Sequence, residues 1–296
     1  PRRDRRYRRW ERRLNRVLPA VQRAIRVQMY AVRELVFVGF IKPGVMKALQ
    51  RLAMRYLTAQ VPDPDLRAKL TPHYRLGCKR ILMSNEYYPA LTADNAEVVT
   101  DRIAEVLPAA IVTEAADGTR TEHPTDTIIF GTGFRVTNPP AAEMIWGRDG
   151  IRLADVWAAE GMTALHGLAI SGFPNLYFLV GPNTGLGHTS IVLMIEAQVR
   201  YLVSLLGDVR VVGGAGRQVV EARRSVQADY NAGLQRRLAG TVWSTGGCQS
   251  WYLDGHGRNT TLWPTFTFRF FKELRTVDLH EYDVTPAASR DASVPA

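Results

Sequence analysis

Cysteine is nearly missing: Cys78 and Cys248 are the only two in 296 residues. No C-x-x-C pair occurs, so neither a disulfide framework nor a thiolate metal cluster is expected, and both read as ordinary thiols. The six histidines are scattered at 73, 123, 166, 188, 256 and 280 without an H-E-x-x-H helix, so no metal site is expected. No apolar run reaches the roughly 18 to 20 residues that a membrane-crossing helix needs. No basic, apolar and small-residue leader opens the chain, so the default expectation is a cytoplasmic protein without stable membrane insertion. Around Ser171 the sequence reads ISGFP, which is no nucleophile elbow. GPNTGLGHTS has the glycines and hydroxyls of a phosphate loop but lacks its lysine.

What is present is the composition of a folded chain, 46% hydrophobic and 22% charged, long enough for one large domain or two. The net charge of +10 is concentrated: residues 1–26 hold eleven arginines against Asp4 and Glu11, a local balance of +9. Such an arm invites a nucleic-acid or membrane-surface reading. Yet Leu14, Leu18, Val21, Ile25, Val32, Leu35 and Val36 recur every three or four residues. That spacing predicts an amphipathic helix, broken near Pro19, docked by its apolar face with arginines to solvent. With no base-reading module, a nucleic-acid partner is not expected.

Two stretches organise the rest. In Asp126–Phe134, DTIIFGTGF, an acidic residue precedes a run suited to a buried strand, which ends in Gly131, Thr132 and Gly133, where backbone can pass close to a ligand. In Ala169–Gly187, AISGFPNLYFLVGPNTGLG, a turn leads to a strand at Leu176–Val180 and then a glycine-rich loop. Helical spacing follows from His188 to Leu206, whose first amides are free to meet an anion or an electronegative ring edge. The pattern is also common in purely structural roles. Between them Leu153–Trp157 reads as a short helix, and before both Asp117-Gly118 reads as a hairpin turn. After Gly207-Asp208, VRVV is β-prone and Glu221–Leu238 reads as an amphipathic helix. The aromatic, glycine-dense stretch Val242–Trp263 reads either as a lid over a cleft or as packing at a domain edge.

Arg80 sits in GCKRILMSNEYYPAL among apolar residues, where a cation is costly to bury without a partner. It either faces a cleft or pairs with Glu86 or Asp94.

Six segments together resemble the C-terminal half of the class B flavoprotein monooxygenases, most closely the Baeyer-Villiger type. They are GCKRILMSNEYYPAL with DNAEVV, DTIIFGTGF, GIRLADVW, GFPNLYFLVGPNTGLGHTS, IEAQVRYL and SWYLDGHGRNTTLWP, which cover about 70–265 in the family's order. The resemblance implies an α/β fold of two FAD/NAD(P)-binding Rossmann-like domains, incomplete at the N-terminus. The residues themselves read as a helical segment at 1–60, a helical and aromatic cap at 211–284 and a flexible tail at 285–296; the resemblance adds the end of an NADPH-binding domain at 60–133 and a return to the FAD-binding domain at 134–210. It also implies FAD and NADPH as cofactors, and oxygen insertion into a ketone or aldehyde through a C4a-peroxyflavin made with dioxygen. Related flavin enzymes oxygenate nitrogen or sulfur instead.

On this resemblance Arg80 is the catalytic residue beside the flavin, and Lys79 is a candidate for NADPH contact. Thr132, Gly133 and Phe134 lie against cofactor where the two domains cross, while Gly181, Pro182, Asn183, Leu186 and Ser190 flank the flavin ring. Gly131 replaces an alanine common in relatives, and Ile81 follows Arg80 where ketone oxidisers often have proline. No G-x-G-x-x-G loop is present for either cofactor, so the expectation is a truncated chain lacking roughly 200 preceding residues. Alone it is expected to be inactive; alternatively it is a silent remnant, or a subunit completed by another polypeptide.

Overall fold

The computed structural model describes residues 6–214 and 216–287. In chain order the elements are α1 (Arg9–Val17), α2 (Pro19–Ile41), α3 (Pro43–Gln60), α4 (Pro64–Leu70), α5 (Tyr87–Leu91), β1 (Arg102–Leu107), β2 (Ala110–Glu114), β3 (Arg120–Pro124), α6 (Leu153–Glu160), α7 (Ile191–Gly213), β4 (Gln218–Ala222), α8 (Arg224–Leu238), α9 (Val242–Thr245), α10 (Thr267–Glu273) and β5 (Tyr282–Pro286). They divide into two compact units. Of the described residues, one holds 50–73 and 82–134; the other holds 6–49, 74–81 and those from 135 to 287.

The smaller unit carries an antiparallel meander, β1-β2-β3. Its second turn is the one read from Asp117-Gly118: Gly118 adopts φ +86°, and Asp117 accepts from the Thr119 amide at 2.9 Å. Asp63 caps α4 by accepting from the amides of Asp65 and Leu66.

The larger unit is built on α7. Met194, Ala197, Gln198, Tyr201, Leu205 and Val209 form its buried stripe, at the three- and four-residue spacing of one helix face. Against it pack Val220 and Ala222 of β4, Tyr282 of β5, Leu234 of α8, Phe270 of α10 and Leu274 just after it. A second cluster joins Phe37 and Phe40 of α2 to Leu238, Trp243, Tyr252 and Leu262. A third surrounds Leu153 and Trp157 of α6, the helix anticipated there.

Several expectations need correction. The run DTIIF, expected as a strand, lies outside any sheet, with Ile129 89%, Phe130 80% and Phe134 93% exposed. Leu176–Val180 forms only one bridge, Tyr177 to Ala169. A strand exists only where a neighbour satisfies its amides and carbonyls, and no described residue supplies a ladder for either stretch. VRVV continues α7 instead of forming a strand, because Val209 completes that helix's buried stripe. The β-structure lies at β4, which takes Glu221 and Ala222 from the start of the expected helix and pairs antiparallel with β5. Thr285 and Pro286 are therefore strand, not tail; residues 288–296 of the expected tail lie outside those described.

At the N-terminus the helices form and break at Leu18-Pro19 as the spacing predicts, but their apolar face is not docked. Leu18, Ile25, Val32 and Leu35 are exposed. The end of α2 is anchored in the core, where Phe37 and Phe40 enter the second cluster and Glu34 accepts the Thr267 amide at 3.0 Å, while further up Arg26 reaches Glu196 of α7 at 3.4 Å. Arg2, Arg3, Asp4 and Arg5 of the basic arm lie outside the described residues.

One polar cluster is enclosed in the core. The His166 ring lies 2.9 Å from Glu281 and 3.3 Å from Glu273, edge-on to Tyr201 and Tyr230. Burial alone would lower its pKa; hydrogen bonds to the two carboxylates outweigh that and raise it to about 9.

Candidate active site

The loop Gly181–Ser190 is pinned on two sides. Beneath it, the wholly buried Gln198 of α7 accepts the Val180 amide at 2.9 Å and donates to the carbonyls of His166 and Gly167 at 3.2 and 3.0 Å. Beside it, residues 259–263 run as a short parallel partner: Asn183 N donates to Thr260 O at 2.9 Å, Gly185 N to Thr261 O at 2.8 Å, and Trp263 N to Gly185 O at 2.8 Å. A Cβ on Gly181 would collide with the Gly167 carbonyl, so only glycine lets the loop close down there.

The loop ends at the start of α7. Ser190 caps the helix by accepting from Val192 N at 3.3 Å, and Thr189 shares a hydroxyl contact of 2.7 Å with Thr267. His188, just before them, is buried against Phe37. Burial drives its pKa down to about 4, although Glu34 at 3.7 Å pulls the other way. The ring is therefore neutral near pH 7.

Above this floor lies a cavity of about 640 Å³. Arg80 enters one wall and donates to Leu186 O at 3.4 Å. Trp251 enters another, with its ring set edge-on to Tyr252 at 4.5 Å. Tyr252 titrates above its ordinary value because it is buried, despite the opposing charge of Arg80. Trp157, Met162, Phe178 and Ile145 make the rest largely apolar. Thr260 also lines the cavity, and its buried Oγ1 has no hydrogen-bond partner among the described residues.

Of the residues singled out from sequence, Arg80, Gly181, Pro182, Leu186 and Ser190 meet in this one cavity. Asn183 is not in its lining. It adopts φ +58°, is buried, and donates from Nδ2 to the carbonyls of Asn259 and Leu262 at 2.8 and 3.1 Å, so its side chain holds the neighbouring segment. Lys79 places its ammonium 4.8 Å from the Tyr74 ring centroid. Thr132, Gly133 and Phe134 belong to the smaller unit and are exposed there.

The reading of the cysteines as free thiols is corrected: Cys78 and Cys248 form a disulfide, with Cα atoms 6.1 Å apart. A separation of 170 residues hides such a pairing from any spacing rule. Trp251, Thr260 and Gln198 were also missed. Only Trp251 carried a signal, as part of the aromatic stretch read as a lid or packing. Both readings hold in part, since Trp251 lines the cavity while Trp243 and Trp263 are core. Among the described residues no group of three or more His, Cys, Asp or Glu is placed to hold a metal ion, and no helix is long and apolar enough to cross a membrane.

No family model matches the chain. Among curated proteins it is 48% identical over 285 residues to a Baeyer-Villiger monooxygenase of Streptomyces coelicolor, covering 96% of this chain and 54% of that protein. It is 46% identical over 287 residues to one of Pseudomonas aeruginosa, covering 96% and 53%. Among solved structures, that of OTEMO in complex with FAD and NADP superposes with a TM-score of 0.72 at 24% identity, over 83% of this chain and 46% of that one. Cyclohexanone monooxygenase from Rhodococcus sp. Phi1 bound to NADP+ gives 0.72 at 21%, over 84% and 46%. The α/β fold is thus that of two-domain FAD- and NADP-binding proteins. The chain is homologous to the Baeyer-Villiger monooxygenases, class B flavoproteins, and spans about half the length of the curated relatives it matches.

Proposed function

We propose that this chain contributes the cavity side of an FAD- and NADPH-dependent monooxygenase that inserts oxygen beside the carbonyl of a ketone or aldehyde. The observation that carries this reading is the convergence of Arg80, the 181–186 loop and the capped start of α7 on one mainly apolar cavity. These residues fit the ring end of a flavin. Glycine at 181 lets the loop settle onto the Gly167 carbonyl, α7 brings the positive end of its dipole to the cavity, and Thr260 Oγ1 is a buried hydroxyl with no partner among the described residues.

When bound, FAD supplies the activation of dioxygen with electrons from NADPH. The remaining work falls to the protein. Trp157, Met162 and Phe178 form walls that exclude water and accept the apolar body of a carbonyl substrate. The Arg80 guanidinium offers directed donors to negative charge that develops on oxygen during insertion. Ser190 and Leu186 set the start of α7 against the ring, and Pro182 stiffens the loop. In the same reading 60–133 is the end of an NADPH-type domain and 134–210 an FAD-type return. Lys79, Thr132, Gly133 and Phe134 then serve as cofactor contacts of the complete protein.

The residues of the relatives outside the match are assigned the nucleotide-phosphate loops that this sequence lacks. Exposure of Ile129, Phe130 and Phe134 favours this, since a strand-forming apolar run without a ladder is suited to pair with further chain. The same exposure is what a subunit completed by a second polypeptide would show.

The test joins this chain to the preceding half of the Streptomyces coelicolor relative and supplies FAD, NADPH, a panel of ketones and aldehydes, and ¹⁸O₂. One labelled oxygen atom in an ester or lactone, with one NADPH consumed, is the expected result. Label found only in oxidised amines or sulfides moves the reading to heteroatom oxygenation, and no labelled product from a flavin-loaded protein refutes it.

A further inference from the structure

Residues Tyr74–Ile81 pack with the larger unit, although the chain before them, Gln50–His73, and after them, Leu82–Phe134, belongs to the smaller one. They form neither helix nor strand, so no repeating ladder holds this strap in place. Arg75 N donates to Gly246 O at 3.0 Å, and Gly77, at φ +88°, lets the backbone tuck against Phe40, Met46 and Val242. The covalent attachment is the bond from Cys78 to Cys248. It stands two residues before Arg80 on one side and three before Trp251 on the other, and both of those residues line the cavity.

The two sulfurs differ in access. Cys78 is completely buried, whereas Cys248 is partly exposed. We propose that the Cys78–Cys248 disulfide is the positioning element that fixes Arg80 in the cavity wall, and that it is an exchange site at which a dithiol reductant releases the strap. A thiolate of the dithiol attacks Sγ of Cys248, the bond between the two cysteines breaks, and Cys78 leaves as a thiolate that takes up a proton. The second thiol of the reductant then displaces Cys248 and closes the reductant's own disulfide. Two electrons and two protons have passed from reductant to protein. In a thiol-rich compartment, disulfides that persist are mostly of this exchanging kind. The consequence for oxygen insertion rests on the function proposed above; the exchange and the release of the strap do not.

The experiment therefore uses this chain without flavin. Thiols are counted with a chromogenic disulfide, and amide hydrogen exchange is followed by mass spectrometry before and after dithiothreitol, then again after reoxidation. No reactive thiol before treatment and two after it are expected, with exchange at 74–81 faster by about tenfold, β1 to β3 and α7 unchanged, and full reversal on reoxidation. Cys78→Ser and Cys248→Ser should each show the fast strap without reductant and no response to it. If either variant misfolds, treated wild type gives the same comparison. Two reactive thiols at the outset, unaltered exchange at 74–81, or an increase spread evenly over the larger unit overturns the proposal. In the completed, flavin-loaded enzyme, reduction should lower kcat while FAD retention holds.

Discussion

Arg80 donates to the carbonyl of Leu186 at 3.4 Å across 106 residues of sequence, and so brings the strap at 74–81 to the loop that precedes α7. At that length the bond is weak, and the guanidinium keeps donors free for the cavity. In the completed oxygenase, Arg80→Ala is expected to lower oxygen insertion about a hundredfold, roughly 3 kcal/mol, while FAD binding stays close to wild type. Arg80→Lys should recover little, because it keeps the charge but loses the planar fork. Product turnover, flavin absorbance and a melting curve on one preparation check this. Full product formation by a well-folded Arg80→Ala enzyme removes the residue from catalysis.

Asn183 serves the loop through both backbone and side chain. Asn183→Ala loses two amide donations to buried carbonyls and asparagine's tolerance of the left-handed backbone at φ +58°, for an expected cost of about 2 kcal/mol. Asn183→Gly loses the same bonds but not the backbone freedom, and should be more stable than the alanine variant by about 1 kcal/mol. Urea unfolding of the three proteins decides it, and equal stability of alanine and glycine variants would show that the left-handed backbone carries no cost.

What was legible in the sequence follows from how local each signal was. Helices α1, α2 and α6 and the β2–β3 turn could be read because apolar spacing, Pro19 and Asp117-Gly118 act within a few residues. Arg80, Gly181, Pro182, Leu186 and Ser190 could be gathered into one site only because separated motifs resembled a family in their order. Strand expectations at DTIIF and LYFLV failed for a different reason: strand propensity requires a partner, which a single segment cannot announce. VRVV failed because burial of Val209 on the face of α7 overrides β-propensity. The disulfide and the clasp of Gln198 join residues 170 and up to 32 apart, and no local rule reaches that far.

His166 makes stability depend on pH in a definite direction. Its folded pKa of about 9 lies above the ordinary 6.5, so folding takes up the proton more strongly than the unfolded chain does. The contribution, about 3 kcal/mol, is complete below pH 6.5 and fades as pH rises through about 9. Thermal or urea unfolding between pH 6 and 10 should show this decline. His166→Asn, which tolerates the positive φ of 55°, should be less stable at pH 6 and flatter over that range. A wild-type profile that is level from pH 6 to 10 would mean the ring is not held charged by Glu273 and Glu281.

We assign to this chain the ring end of a flavin site, and to the remainder of the relatives' length its phosphate-binding part. The flavin retained after desalting, read from absorbance near 450 nm, is compared for this chain alone and for the chain joined to the part of its Streptomyces coelicolor relative outside the match. Far less than one FAD per chain is expected for the first, since a ring contact without phosphate contacts binds weakly, and about one for the second. Retention of one FAD by the chain alone, or none by the joined protein when it is folded, would contradict that assignment.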